Sequence, residues 1–177
     1  MTDRRRFEQQ VLPHIDAAFN LARWLTRNDH DAEDVVQDAM LRAYRHFEGL
    51  RGEARPWLLA IVRNACFSWM QRNRPAELAA GADEEAAEAA TAPADGPEAL
   101  LARELDRRML NEAIAALPLQ FREVLILREL EDLSYREIAR VANVPIGTVM
   151  SRLARARRLL AESVRAASSV SGTQVPK

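Results

Sequence analysis

Residues 134–158, SYREIARVANVPIGTVMSRLARARR, constrain this chain more than any other stretch. Ser134 followed three residues later by Glu137 forms a capping box, so a helix starts there. Ile138, Ala139 and Ala142 fall on one side of that helix, with Tyr135 on the same flank. Asn143, Val144 and Pro145 break the pattern. Asn tolerates the left-handed turn that ends a helix, and Pro cannot continue one but can open the next. The second helix then aligns Val149, Leu153, Ala156 and Leu160 on an inner stripe at spacings of three and four. Thr148, Ser151, Arg152, Arg155 and Arg158 are left facing outward. Helix-turn-helix proteins enter the major groove in this way. An arginine-rich face is often only a solvated surface, but the cap, the turn chemistry and the polar face together favour DNA.

Elsewhere the composition favours helices. Hydrophobic residues make up 48% of the 177 and aromatics only 6%, with six glycines, which suits an all-α chain better than a β-sandwich. The net charge of −1 argues against nucleic acid until its distribution is considered. Residues 75–106 carry nine acids against the single base Arg103, a local net of −8 that leaves +7 for the remainder. The folded parts are therefore basic. Cys66 is the single cysteine, which excludes an internal disulfide, and it cannot build a zinc site with His14, His30 and His46 scattered as they are. It sits in an apolar helix stripe and reads as a small buried hydrophobe. No apolar run reaches the roughly 18 residues needed to span a membrane. MTDRRRFEQQ has charge with no apolar run behind it, unlike a signal peptide, so a reducing cytoplasm is expected.

Two periodic regions flank a break. The first begins with a helix from Phe7 to about Arg27 that buries Val11, Ile15, Ala18, Phe19, Ala22 and Leu25. After capping residues at Asn28–Asp31, DAEDVVQDAMLRAYRHF buries Val35, Val36, Ala39, Met40, Ala43, Tyr44 and Phe47. A loop marked by Gly49, Gly52 and Pro56 leads to PWLLAIVRNACFSWMQR. There Trp57, Leu58, Ile61, Val62, Ala65, Cys66 and Trp69 share one face, so both tryptophans read as core rather than as base-stacking platforms. Residues 75–98 are rich in Ala, Glu, Asp, Pro and Gly, and cannot bury enough surface to offset chain entropy. They are expected to form a flexible acidic linker. The predicted units are thus residues 1–74, the linker 75–98, a second helical domain over 99–167 and a frayed tail over 168–177. The second domain opens with Leu105, Met109, Leu110, Ala113, Ile114 and Leu117 on one helix. Pro118 starts another helix, which leads into the helix-turn-helix.

Three polar surfaces remain. Asp31, Glu33, Asp34, Gln37, Asp38, Arg42 and Arg45 line the second helix and by themselves describe an ordinary solvated face. Asp34 and Asp38 lie one turn apart and point at solvent, so no acid–base catalysis is expected. The third helix exposes Arg63, Asn64, Gln71, Arg72 and Arg74, and its preceding loop offers Arg51, Glu53 and Arg55. Asn and Arg hydrogen-bond base edges, and such a surface could hold a separated strand.

The combination of DAEDVVQDAMLRAYRHF, RPWLLAIVRNACFSWMQR, an acidic spacer and LPLQFREVLILRELEDLSYREIARVANVPIGTVMSRLARARRLL resembles the extracytoplasmic-function sigma factors, small two-domain members of the sigma-70 family. The resemblance covers about residues 7–74 and 99–165. It implies an all-α, two-domain initiation factor that gives RNA polymerase core its promoter specificity, with no catalytic residues, metal or cofactor of its own. It reassigns the face with Asp34, Gln37, Asp38 and Arg42 to docking on the β′ clamp helices. The Gly52–Pro56 loop and the following helix, with Arg51, Arg55, Arg63 and Asn64, match the part that captures a flipped −10 base. Extruding a base costs a few kcal/mol, so a pocket for it also supplies selectivity. Thr148, Ser151, Arg152 and Arg155 match the −35 contacts, in a domain that rests on the β flap. Many members carry Lys or Arg at the position of Met150. The resemblance also implies a linker in the RNA exit path and an anti-sigma partner. Two rivals are a stand-alone helix-turn-helix regulator and a sigma-like adaptor that sequesters an anti-sigma factor. The Arg152/Arg155 pair and the Asp34–Arg42 face count against both.

Overall fold

Pro13 splits the opening helix. The computed structural model describes residues 3–79 and 98–171, and in it the expected helix over 7–27 becomes α1 (Asp3–Gln10), a 3₁₀ turn (Leu12–His14) and α2 (Ile15–Thr26). A proline inside a helix lacks the N–H and clashes with the carbonyl four residues back, so the apolar periodicity continues while the backbone does not. Ile15, expected inside, is exposed at the start of α2.

Next comes α3 (Asp29–Arg45), capped by Asn28, whose side chain accepts from the Asp31 N–H at 3.1 Å. A 3₁₀ turn at Phe47–Gly49 and the loop around Gly52 lead to α4 (Ala54–Asn73). Gly52 has φ +76, a left-handed conformation that a side chain would strain. Helices α2, α3 and α4 pack together around Leu21, Leu25, Leu58, Leu59 and Val62, all fully buried. Each such side chain contributes about 1.5–3 kcal/mol by leaving water. Trp57 and Trp69 pack against this core while half-buried. Tyr44 departs from the expected stripe. It is exposed on the last turn of α3, with its ring edge-on to Phe7 at 5.2 Å.

Helicity extends five residues into the segment expected to be a tether. Pro75–Ala79 form α5, where Glu77 pairs with Arg27 at 3.0 Å and Arg74 at 3.6 Å. The rest of that tether, residues 80–97, lies outside the described residues, as do residues 172–177 of the predicted tail. The second unit comprises α6 (Glu98–Ala116), α7 (Leu119–Glu129), α8 (Tyr135–Ala142) and α9 (Ile146–Ser171), the last running through the start of the predicted tail. Leu110, expected on the inner stripe of α6, is exposed.

All regular structure among the described residues is helical. The two units do not stand apart. Helix α7 packs on α2 as well as on α8 and α9, and α8 packs on α4. Residues 122–127 of α7 are consequently buried all round, Arg122 and Glu123 included. A helix segment apolar on every side is buried on every side, which fits the VLIL run at residues 124–127. No helix among the described residues is long and apolar enough to cross a membrane.

Candidate nucleic-acid interface

The helix-turn-helix is built from local rules. Ser134 Oγ accepts from the Glu137 N–H at 3.2 Å, and Glu137 Oε2 accepts from the Ser134 N–H at 2.7 Å, completing the capping box. Asn143 ends α8 with φ 55, the left-handed conformation Asn tolerates. Thr148 and Val149 both donate to the Pro145 carbonyl, so α9 begins beyond the proline. Val149, Leu153 and Ala156 face inward and are buried, with Leu160 half-buried against them.

Of the outward residues, Ser151 is exposed and donates its hydroxyl to the Thr148 carbonyl at 3.1 Å, while Thr148, Arg152 and Arg155 are half-buried. Met150 interrupts this polar face at 54% exposed, one turn from exposed Ile146. Thymine presents a methyl group in the major groove, so an apolar side chain on such a face can contact it.

On α3, Asp34, Gln37 and Asp38 are exposed and Arg42 half-buried, with Asp38 and Arg42 paired at 2.7 Å along the helix. Leu41 and Tyr44 stand exposed beside them, at 59% and 51%. The sequence reading missed these two exposed apolar side chains. Leu41 lies off the core stripe, which is the signal that could have found it. Exposed aromatic and aliphatic groups ringed by polar ones are typical of a protein-docking patch.

The third set is divided. Arg51 is exposed and donates to the carbonyls of Glu48 and Leu50, and Asn64 is exposed on α4. Arg55 and Arg63 instead reach across to the second unit. Arg55 Nη2 pairs with Glu131 at 2.7 Å, and Arg63 Nε pairs with Glu123 at 2.5 Å. Both carboxylates are buried, at 5% and 1% exposed. Burial pushes the Glu123 carboxyl above the usual range, against the opposing pull of Arg63 and Arg152. Arg152 and Arg63 line the same cleft of ≈ 440 Å³, together with Phe67, Leu78 and Asn143.

Arg122 was not singled out in the sequence. It donates to the carbonyls of Ala115 and Leu117 at the end of α6, at 2.9 and 2.8 Å, and to Leu25 at the end of α2, at 3.4 Å. A cation at two helix C-termini is favoured by their dipoles. Burial draws its guanidinium down to about 10, which leaves it charged at neutral pH. Cys66 is buried, and desolvation pushes its thiol up to about 12, so it stays an unreactive thiol. Among the described residues no group of three or more His, Cys, Asp or Glu could hold a metal ion.

The family model for Sigma-70 region 2 matches residues 11–75, and that for Sigma-70 region 4 matches residues 107–160. The ECF RNA polymerase sigma-E factor of Haemophilus influenzae is 36% identical over 153 residues, covering 82% of this chain and 79% of that one. This chain is an extracytoplasmic-function sigma factor of the sigma-70 family. The Escherichia coli K12 sigma-E factor is also 36% identical, over 76% of this sigma factor and 74% of its own length.

Two solved structures share the fold. The sigma factor RpoE in complex with the anti-sigma factor NepR from Bartonella quintana aligns with a TM-score of 0.69 at 28% identity, covering 91% of this chain and 98% of that one. CnrH in complex with the cytosolic domain of CnrY aligns at 0.65 and 25% identity, covering 92% and 90%. The sigma factor binds RNA polymerase core and directs promoter-specific initiation of transcription. Its region 2 match contains α3 and α4, and its region 4 match contains the helix-turn-helix.

Proposed function

We propose that three surfaces divide the work of initiation. The outward face of α3, with Asp34, Gln37, Asp38 and Arg42, docks on the β′ clamp helices of polymerase, and Leu41 and Tyr44 supply its apolar anchors. Arg51, Arg55, Arg63 and Asn64 engage the −10 element, where one base leaves the stack and the strands are kept apart. Thr148, Ser151, Arg152 and Arg155 read the −35 element from the major groove, in a domain resting on the β flap. Polymerase, working in the cytoplasm, supplies all the chemistry, and this chain acts without a cofactor of its own.

The observation that carries this reading is the polar helix-turn-helix face on the same chain as the exposed α3 patch. The acidic linker between α5 and α6 spans the two promoter elements in the RNA exit path. Tethering raises the effective concentration of the −35 reader once polymerase is bound, so its affinity for isolated DNA need not be high. One solved neighbour is in complex with the anti-sigma factor NepR, which supports an inhibitor of that class for this chain. The test is transcription from a promoter library by purified core, with and without the protein. Enrichment of one two-element promoter class is the expected result. Footprints on DNA without polymerase would instead favour a stand-alone regulator.

A further inference from the structure

The outward face of α9 carries an apolar row among its polar side chains. Met150 is 54% exposed, one turn after Ile146 at 47% and one turn before exposed Ala154. Spaced by four, the three residues are neighbours along the helix surface. Ser151, directly after Met150, is exposed, and Thr148, Arg152 and Arg155 are half-buried. Met150 lies within the first two turns of α9, the end of a recognition helix that meets base edges. Gly147 occupies the same turns. A Cβ there would meet nothing within 4 Å, so no packing within the chain calls for glycine, which weakens a helix. Its bare backbone lets this end of α9 come close to a surface outside the chain.

We propose that Met150 is a specificity-determining residue of the −35 contact: it covers the 5-methyl group of one thymine, with Ile146 beside it in the same apolar contact. The inference rests on the assignment of α9 to the −35 element and deepens it. Thymine is the base that presents a methyl group in the major groove. Adenine and cytosine present amino donors there, and guanine presents two acceptors. A thioether is only a weak acceptor and no donor. Covering one of those polar edges with Met150 strips its water without a comparable bond in return. The unbranched, polarizable side chain adapts its shape to a methyl group. Discrimination at this position therefore comes from burying one methyl, and it leaves the salt dependence of binding unchanged.

The test uses the full chain reconstituted with purified polymerase core, on a duplex carrying the promoter that the library selects. Uracil, which lacks only the methyl, replaces each thymine of the −35 element in turn, on either strand. One replacement should weaken holoenzyme binding about fourfold, the effect of one methyl group returned to water. Met150→Ala should weaken binding to the thymine duplex by at least as much, with the same salt slope. It should erase the uracil effect at that position alone, and Met150→Leu should retain it. Alanine is the best helix former, so the exposed position tolerates it, and circular dichroism checks the fold. A scan with no sensitive position, or one whose sensitivity survives Met150→Ala, overturns the proposal. So does a Met150→Ala chain that loses core binding yet discriminates the −35 bases as before, since the apolar row then meets protein. If the unsubstituted holoenzyme is indifferent to the whole −35 sequence, the assignment of α9 fails and the proposal falls with it.

Discussion

Arg63 and Glu123, sixty residues apart, meet at 2.5 Å with the carboxylate 1% exposed. A buried pair of this kind is weak as a source of stability but costly to halve. Glu123→Ala leaves Arg63 without its carboxylate in a cleft it shares with Arg152 and should lower stability by about 3 kcal/mol. The double change Arg63→Met/Glu123→Leu removes both charges and should lie near the unsubstituted protein. Thermal melts followed by circular dichroism separate the two outcomes.

The same carboxyl sets a pH dependence. Its pKa is raised by burial, so the folded state holds the proton more tightly than the unfolded one. That contribution is fully present below the ordinary glutamate range and is lost as pH rises through the elevated value. Glu123→Gln removes it. In urea titrations the stability of Glu123→Gln relative to the unsubstituted chain should therefore climb with pH. Glu104, lowered by Arg107 and Arg108, has the opposite slope but cancels in the difference.

Ser134→Ala deletes one half of the capping box and should cost about 1 kcal/mol. Ser134→Asp keeps an oxygen for the Glu137 N–H and should recover most of it. Chemical denaturation of the two variants measures the difference.

Asp38→Arg should abolish co-precipitation of polymerase core yet leave the melting temperature nearly unchanged. Its pair with Arg42 is a solvent-exposed i,i+4 contact, worth about 0.3–0.5 kcal/mol. A large loss of stability would mark the position as structural.

For the recognition helix, Arg152→Ala or Arg155→Ala should cost about 1–3 kcal/mol at a single promoter position if the side chain reads a base. A phosphate contact would instead weaken all sequences evenly and reduce the salt slope by about one. Binding by the holoenzyme to a panel of −35 variants at two salt concentrations distinguishes these.

Legibility followed the range of the interaction. The box at Ser134 and Glu137, the left-handed Asn143 and the cap at Asn28 involve residues at most a few positions apart, and all were read directly. The stripe of Val149, Leu153 and Ala156 was equally plain because burial of one helix face imposes its own period. The break at Pro13 was hidden beneath apolar spacing that continues across it. Tyr44 has the right spacing for the core but falls on the last turn of α3, where it stays exposed with Phe7 edge-on to its ring. Leu41 was passed over because a lone exposed leucine has no meaning until Tyr44 is found exposed beside it.

The sequence by itself determined the helices, their caps and turns, the two polar helix faces and the family to which they belong, because those features are periodic or local. Only the tertiary structure decided that Arg55 and Arg63 face Glu131 and Glu123 instead of solvent. Those partners lie 76 and 60 residues away, across a linker whose composition says nothing about how the units meet. Side chains that read alike as basic surface differ in function according to which carboxylate the folded chain brings to them, and spacing along a helix cannot specify that.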